Sequence, residues 1–166
     1  QITYTQFLPL YLSRERGFSL GDASFALTLY LASGAIGGFL GGNLADRFGG
    51  RAVILSSMLL CVPFLSLFFF APVGWVALAG LTLGGLTLLF TIPVNVTMAQ
   101  ELAPENVGVI SALMMGFSWG MAGLLFVPLT GWVAEHYSLH TALSSLLIFP
   151  LFGALLTPRL KRYGCH

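Results

Sequence analysis

The chain has 166 residues, of which 57% are hydrophobic and 8% are charged, and its formal net charge is +1. Soluble domains carry about 25% charged residues, so this chain has too few charges to cover a surface that faces water. The composition therefore excludes an ordinary soluble domain and indicates an all-α, polytopic membrane protein with the lipid bilayer as a partner. Because no basic run is interleaved with aromatic residues, no nucleic-acid partner is expected.

Uncharged stretches separated by short breaks predict a bundle of six helices, the first of them truncated. A membrane span needs about 20 apolar residues, and the opening stretch supplies only about 12. The uncharged run 52–100 is too long for one span and must fold back, with Pro72 and Gly74 as breakers. The last helix ends at Pro158. The predicted helices cover about 1–13, 20–45, 51–71, 73–101, 105–135 and 138–158.

The distribution of arginine and lysine predicts how the bundle is oriented. One side of the membrane holds Arg14 and Arg16, and the other side holds five cations. Those five are Arg47, Arg51, Arg159, Lys161 and Arg162. The side with more cations is normally cytoplasmic. The loop at 46–51 and the C-terminus are therefore expected in the cytoplasm.

Small residues recur every four positions in three of the predicted helices, which is typical of close helix packing in lipid. These glycines are Gly34, Gly38 and Gly42, then Gly80 and Gly84, then Gly116 and Gly120. Ser33, Gly37 and Gly41 repeat the first series one position earlier, which predicts one smooth stripe on the second helix. The stripe can serve plain packing or a contact that slides, and both interpretations stay open.

The glycine-rich helix is followed by G-N-L-A-D-R-F-G-G-R, residues 42–51. This segment resembles the signature G-x-L-A-D-R-x-G-R-[R/K] of the major facilitator superfamily, which lies between the second and third helices of each six-helix half. The matching residues are Gly42, Leu44, Ala45, Asp46, Arg47, Gly49 and Arg51. Gly50 stands where the family usually has Arg or Lys.

Two later stretches, 96–124 and 129–143, are similar to fosmidomycin-resistance-type members of the same superfamily. The resemblance therefore covers nearly the whole chain. It implies the C-terminal six-helix half of a twelve-helix transporter in a bacterial inner (plasma) membrane. The missing N-terminal half and a small-molecule substrate are the partners that it implies.

The resemblance also implies that Asp46 clamps a cytoplasmic gate against a helix N-terminus of the missing half. Conversely, the helix start at 106–111 would anchor the equivalent loop of that half. An anion at a helix C-terminus is disfavoured by the helix dipole and needs a compensating partner. Arg47, Arg51 or the N-terminus of a neighbouring helix could supply it. The alternative is a solvated aspartate in a positively charged loop.

Neutral polar residues in the predicted spans are candidates for a substrate path, because polar groups at membrane depth are costly and often functional. Asn95, Ser118 and Trp119 qualify by position, and Gln6 qualifies by family analogy. Simple filling between helices is the alternative for Trp119. No acidic or basic residue lies within the uncharged runs 23–45, 52–100, 106–134 and 137–158 that form the predicted spans, so no proton-carrying carboxylate is identified. His136 and His140 are expected in a loop as solvated side chains.

These observations predict a secondary active transporter that works by alternating access. The fosmidomycin-resistance resemblance favours proton-coupled efflux of a small drug or metabolite by an antiporter, with antibiotic resistance as a consequence. One alternative is an uptake permease of the same fold for a sugar or an organic anion. Another is a non-transporting membrane subunit whose glycines serve assembly. No catalytic residues and no metal-ligand set are found, so neither an enzyme nor a cofactor is expected.

Overall fold

The computed structural model describes residues 1–72 and 74–157, and these form an all-helical bundle. The helices are α1 Ile2–Arg14, α2 Leu20–Phe48, α3 Gly50–Phe70, α4 Trp75–Leu89, α5 Thr91–Leu102, α6 Val107–Ser111, α7 Ser118–His136, α8 Leu139–Ser145 and α9 Ile148–Leu156. A 3-10 turn, Pro104–Asn106, precedes α6, and a π-helical segment, Ala112–Phe117, joins α6 to α7. The predicted helix end at Pro158 and the cations Arg159, Lys161 and Arg162 lie outside the described residues.

Five helical stretches of the described chain are long and apolar enough to cross a membrane. They are Leu20–Phe48, Gly50–Phe70, Trp75–Leu102, Pro104–His136 and Leu139–Leu156. Short connections make successive stretches antiparallel. We call the end of the bundle that holds residues 42–51 the signature end. The end that holds residues 14–20 is the opposite end.

The ends of α2 show how local chemistry places the signature. Ser19 accepts a hydrogen bond from the Asp22 backbone N–H at 3.1 Å and so caps the start of α2. α2 continues to Phe48, so Asp46 and Arg47 lie in its last turn, and the prediction that they form a loop was wrong. The reason is Gly49, whose φ of +84° reverses the chain within one residue.

The fourth predicted helix is divided at Phe90 into α4 and α5. The Phe90 N–H donates to the Thr87 carbonyl at 3.3 Å, a three-residue spacing that tightens the turn. Pro93 has no N–H with which to continue a regular helix. The Leu86 carbonyl oxygen lies against α2 at Gly37, where any Cβ atom would overlap it. Gly37 therefore lets α2 lie directly against the backbone of α4 just before the break.

The last two predicted helices are also interrupted. The span from Pro104 to His136 contains the π-helical segment, in which the Ser118 N–H donates to the Leu113 carbonyl five residues earlier. The final span is divided between α8 and α9, where the Leu147 N–H donates to the Ser144 carbonyl at 3.1 Å. Pro150 explains this break, because it lacks the N–H that the carbonyl of residue 146 would otherwise receive.

The structure divides the predicted glycine stripe of α2 into two faces. Gly34, Gly37 and Gly41 face α4 and its continuation, and a Cβ atom on Gly41 would lie 2.6 Å from the Phe90 carbonyl oxygen. Gly38 and Gly42 have no heavy atom of the described chain within 4 Å of the same position. The first face permits close backbone packing, and the second is open.

The shorter glycine pairs differ in the same way. A Cβ atom on Gly80 would lie 2.8 Å from the Phe64 carbonyl oxygen, and one on Gly84 would lie 2.6 Å from Leu65 Cδ2. These two glycines therefore hold α4 close to α3. Gly116 and Gly120 have open space around the Cβ position within the described chain.

Two clusters of buried side chains hold the bundle together. The larger joins α1, α2, α3, α4 and α8 near the opposite end and includes Tyr4, Tyr11, Tyr30, Phe68, Phe69 and Leu143. The smaller joins α3 and α5, with the residue before α5, nearer the signature end and consists of Val53, Ile54, Phe90 and Val94. The hydrophobic core is therefore concentrated toward the opposite end.

Candidate functional site

A partly open cavity of about 320 Å³, which we call the inner cavity, lies among α1, α3, the α4–α5 break, α7 and α9. It reaches the middle of the spanning stretches, which corresponds to the hydrocarbon core of the bilayer. Its wall combines hydroxyl-bearing and apolar side chains, including Thr3, Ser57, Met58, Leu88, Thr91 and Ala122. The described lining residues include no acidic, basic or histidine side chain. The cavity therefore suits a largely apolar molecule with a few neutral polar groups.

Hydrogen bonds fix the polar wall of this cavity. The Ser57 hydroxyl of α3 donates to the Thr87 carbonyl of α4, and the Tyr4 hydroxyl of α1 donates to the Leu143 carbonyl of α8 at 3.0 Å. Both bonds join separate helices at membrane depth. They satisfy polar groups that would be costly in hydrocarbon, and they keep the shape of the cavity defined.

Only one of the four predicted path residues lies beside this cavity. Trp119 lines an adjoining recess of about 210 Å³ together with Thr91 and Leu88, which also line the inner cavity. Its side chain is 45% exposed. Trp119 can therefore present an aromatic surface to a molecule in the recess.

The other three predicted path residues are dispersed. Gln6 is exposed on α1, and Asn95 is half-buried on α5, and neither lines the cavity or the recess. The Ser118 hydroxyl donates to the Leu113 carbonyl at 3.1 Å and supports the end of the π-helical segment. Such segments are rare and are often found at functional sites. The structure thus gives Ser118 a local structural role.

The predicted gate residues meet at the junction of α2 and α3. Asp46 and Arg47 are exposed in the last turn of α2, Gly49 makes the turn, and Arg51 lies in the first turn of α3. Gly42 lies one turn earlier, on the open face of α2. The signature is therefore presented on the surface of the described chain.

Gly50, where the sequence departs from the family signature, is buried. A Cβ atom at this position would lie 2.6 Å from Met98 Sδ and 3.0 Å from Val94 Cγ1. An arginine or lysine here would have to displace the Met98 side chain. The departure is therefore coupled to close packing of α3 against α5.

The neighbouring helix start at the signature end is also accessible. Glu105, Val107 and Gly108 are exposed, and Gly108 has open space around its Cβ position. The Gln100 side-chain amide donates to the Ser111 hydroxyl at 2.7 Å across the turn at Pro104. This bond fixes the angle between α5 and α6.

The opposite end has a feature that the sequence did not predict, an arginine that binds the C-terminus of α3. Arg16 donates from Nη1 to the Ala71 carbonyl at 2.8 Å and from Nη2 to the Phe68 and Phe69 carbonyls at 2.6 Å. Its Nε donates to the Tyr11 hydroxyl at 2.8 Å. A cation at a helix C-terminus is favoured by the helix dipole and satisfies carbonyls that lack helical partners.

Glu15, the residue before Arg16, binds the N-terminus of α8. The Glu15 carboxylate accepts hydrogen bonds from the Leu139 N–H at 2.6 Å and the His140 N–H at 2.9 Å. An anion is favoured at a helix N-terminus. Two consecutive charged residues after α1 therefore bind the ends of two other helices.

His140 belongs to this arrangement and is not a solvated loop residue, so that expectation was wrong. It is half-buried in α8, and its Nε2 lies 3.3 Å from the Phe69 carbonyl oxygen. Its ring packs edge-on against the Phe69 and Phe70 rings. His136 is exposed in the last turn of α7, with Nδ1 2.9 Å from the Trp132 carbonyl oxygen.

The sequence model described as Major Facilitator Superfamily matches residues 2–162. The chain belongs to the major facilitator superfamily. This result confirms the resemblance found at the α2–α3 junction. It assigns the all-helical bundle to the fold of this family of membrane transporters.

Named relatives of this major facilitator chain cover most of it. It is 37% identical over 150 residues to the uncharacterized MFS-type transporter YfnC of Bacillus subtilis (strain 168), covering 90% of this chain and 36% of that protein. It is 30% identical over 151 residues to the fosmidomycin resistance protein of Escherichia coli (strain K12), covering 91% of this chain and 37% of that protein. The niacin transporter NiaP of Acinetobacter baylyi is 26% identical over 141 residues, covering 82% and 31%. The chain thus spans just over a third of the length of its first two relatives.

Proposed function

We propose that this chain is one half of a secondary active transporter that exports a small drug or metabolite in exchange for protons. The inner cavity is the observation that carries the proposal. It lies near the middle of the spanning helices, where alternating-access transporters bind their substrates. Its neutral, mainly apolar wall favours an amphipathic molecule. The similarity to a fosmidomycin resistance protein supports export.

The proposal gives the signature end the role of a cytoplasmic gate. Asp46 is exposed at a helix C-terminus, where the helix dipole disfavours an anion. A helix N-terminus supplied by the rest of the protein would compensate it, and the accessible start of α6 would receive the equivalent group in return. In this arrangement the signature end is cytoplasmic and lies at the inner (plasma) membrane of a bacterium.

Proton coupling requires a group that gains and loses a proton at membrane depth. The described residues that line the inner cavity and the recess offer no carboxylate or imidazole for this purpose. We therefore place the coupling residue in the remainder of the protein. The open faces at Gly38, Gly42, Gly116 and Gly120 support close docking of that remainder.

The test is substrate flux by the full-length protein in sealed vesicles with an imposed pH gradient. A panel of amphipathic drugs and small metabolites should include compounds whose export stops when the gradient is abolished. Accumulation in the opposite direction would instead support the uptake permease. Absence of flux for the whole panel would contradict transport and favour the assembly subunit.

The same assay tests the gate through Asp46→Asn, with Glu101→Gln as a matched control. Both carboxylates are exposed at the signature end, but only Asp46 belongs to the signature. We expect Asp46→Asn to lower the maximal flux by about tenfold, with KM changed little because the residue is remote from the cavity. Equal flux in the two variants would contradict the gate.

A further inference from the structure

A lateral groove of about 230 Å³ lies on the surface between α7 and the α8–α9 pair. Leu129 and Ile148 line it and are 55% and 52% exposed. The polar side chains among its described lining residues are Thr130 and Ser145, and the rest of its wall is apolar. Thr130 is buried, so the groove is an apolar surface with one exposed hydroxyl-bearing residue, Ser145.

The depth of the groove in the bilayer determines which part of the membrane it contacts. Phe126 precedes the end of α7 at His136 by ten residues, and Phe149 follows the start of α8 at Leu139 by ten residues. At 1.5 Å per residue, both residues lie about 15 Å in from the opposite end of the bundle. The hydrocarbon core of a bilayer is about 30 Å thick. The groove therefore lies at the depth of the lipid chains.

The groove and the inner cavity share part of their walls. Phe126, Leu146 and Phe149 line both spaces. The rings of Phe126 and Phe149 pack edge to face, with centroids 5.0 Å apart and planes at 84°. One pair of aromatic side chains therefore stands between the lateral groove and the inner cavity.

The backbone beside this pair is also interrupted. Leu146 belongs to the break between α8 and α9, where hydrogen bonds span three residues in place of four. Phe149 follows the break directly, before Pro150. The three-residue hydrogen bonds of this break have poorer geometry than those of a regular α-helix, which favours local opening. Phe149 therefore lies beside the interrupted part of the final span, whereas Phe126 lies in the regular helix α7.

We propose that the lateral groove is a portal through which small amphipathic molecules dissolved in the bilayer pass to and from the inner cavity. Phe126 and Phe149 are the side chains that separate the two spaces. The substrate class is a molecule with an apolar body and a neutral polar group such as a hydroxyl. The exposed Ser145 side chain donates to the Ala142 carbonyl at 2.8 Å, and its hydroxyl oxygen keeps acceptor lone pairs for such a group. The wall that the groove shares with the cavity provides the route when the aromatic pair moves. The physiological meaning of the portal rests on the proposed transport function.

The test uses a photoreactive diazirine derivative of octanol and the full-length protein in phosphatidylcholine vesicles. After illumination, mass spectrometry locates the modified residues. We expect modification of the groove at Leu129 or Ile148 and of the inner cavity at Met58 or Leu88. A water-soluble diazirine carboxylate should leave the groove unmodified. An unmodified groove with the octanol probe would show that another part of the protein covers it, and it would overturn the proposal.

Variants separate the portal from other routes into the cavity. Leu129→Trp fills the groove, whereas Leu124→Trp places the same side chain at an exposed position of α7 that lines neither space. Leu129→Trp should lower modification of Met58 and Leu88 several-fold, and Leu124→Trp should not. Phe126→Ala should raise it several-fold, and Ile148→Trp provides a second way to fill the groove. Cavity labelling that is unaffected by both groove-filling variants would overturn the proposal.

This experiment measures access and not flux, so its result is distinct from that of the transport assay. A protein that is labelled as expected but moves no compound would retain the portal and contradict the transporter. A protein that exports compounds in a proton-dependent manner but fails the labelling test would retain the transporter and contradict the portal.

Discussion

The two ends of the bundle are held together by different means. At the opposite end, Glu15 and Arg16 bind the termini of two other helices, above the larger hydrophobic cluster. At the signature end, Asp46 and Arg47 are exposed and the hydrophobic cluster is smaller. Side chains that satisfy helix termini make local opening costly, whereas exposed termini open readily. The difference indicates that the opposite end acts as a fixed base and the signature end as the adaptable part.

The largest effect should come from removing the cation of the opposite end. Arg16→Ala deprives the α3 C-terminus of three hydrogen bonds to a charged donor. We expect a loss of about 3 kcal/mol in the free energy of unfolding of the full-length protein. Unfolding by sodium dodecyl sulfate in mixed micelles measures it. Arg14→Ala, at the exposed last residue of α1, is the control and should cost less than about 0.5 kcal/mol. Equal losses would contradict a special role for Arg16.

The second-largest effect on stability is expected for Glu15, the anion next to Arg16. Glu15→Ala removes the acceptor for two N–H groups at the start of α8, and we expect a loss of about 2 kcal/mol in the same measurement. Glu135→Ala changes another exposed carboxylate near the same end and should be nearly neutral. If the two variants unfold at the same detergent concentration, Glu15 does not stabilise α8.

The third effect tests whether the signature end depends on its turn more than on its charges. Gly49 has a φ of +84° and a ψ of 142°, a conformation almost restricted to glycine. Gly49→Ala should cost about 1 kcal/mol of unfolding free energy, because an L-residue is strained at this positive φ. Gly21→Ala is the control, because Gly21 lies in the first turn of α2 and meets only the Ser19 hydroxyl oxygen, at 3.8 Å. A smaller loss at Gly49 than at Gly21 would remove the argument from backbone conformation.

The smallest effect on stability is expected for the proposed gate residue. Because Asp46 is exposed, Asp46→Asn should change the free energy of unfolding by less than about 0.5 kcal/mol. The same variant should lower transport, as proposed above. A large loss of stability would mean that Asp46 supports the fold, and the contrast between the two ends would then weaken.

Much of the fold follows from the sequence because lipid restricts the possible structures. Only helices and closed barrels satisfy every backbone polar group in lipid, and the long uncharged stretches lack the period-two alternation of barrel strands. The cap at Ser19 and Asp22 is a local pattern that marks one helix start. The matches at Asp46 and Arg47 identified the family before any contact was known. Their placement within a helical turn depended on the conformation of a single glycine.

The remaining features depend on residues that are distant in the chain. Glu15 and Arg16 form an evident charge pair in the sequence, but their partners at Leu139 and Phe68 are set by tertiary packing. The two faces of the α2 glycine series likewise follow from the break at Phe90, which no periodicity reveals. Asn95 and Gln6 remain predictions as substrate-path residues, since neither lines the inner cavity.

Hydrogen exchange of the full-length protein in lipid nanodiscs tests the contrast between the two ends most directly. Amide exchange reports local opening, which is slow where hydrogen bonds and packing hold a segment. We predict slower exchange in segments 66–71 and 138–143 at the opposite end than in segments 44–51 and 104–111 at the signature end. Arg16→Ala should accelerate exchange at 66–71 and leave 44–51 unchanged. Equal exchange at the two ends, or faster exchange at the opposite end, would contradict the account.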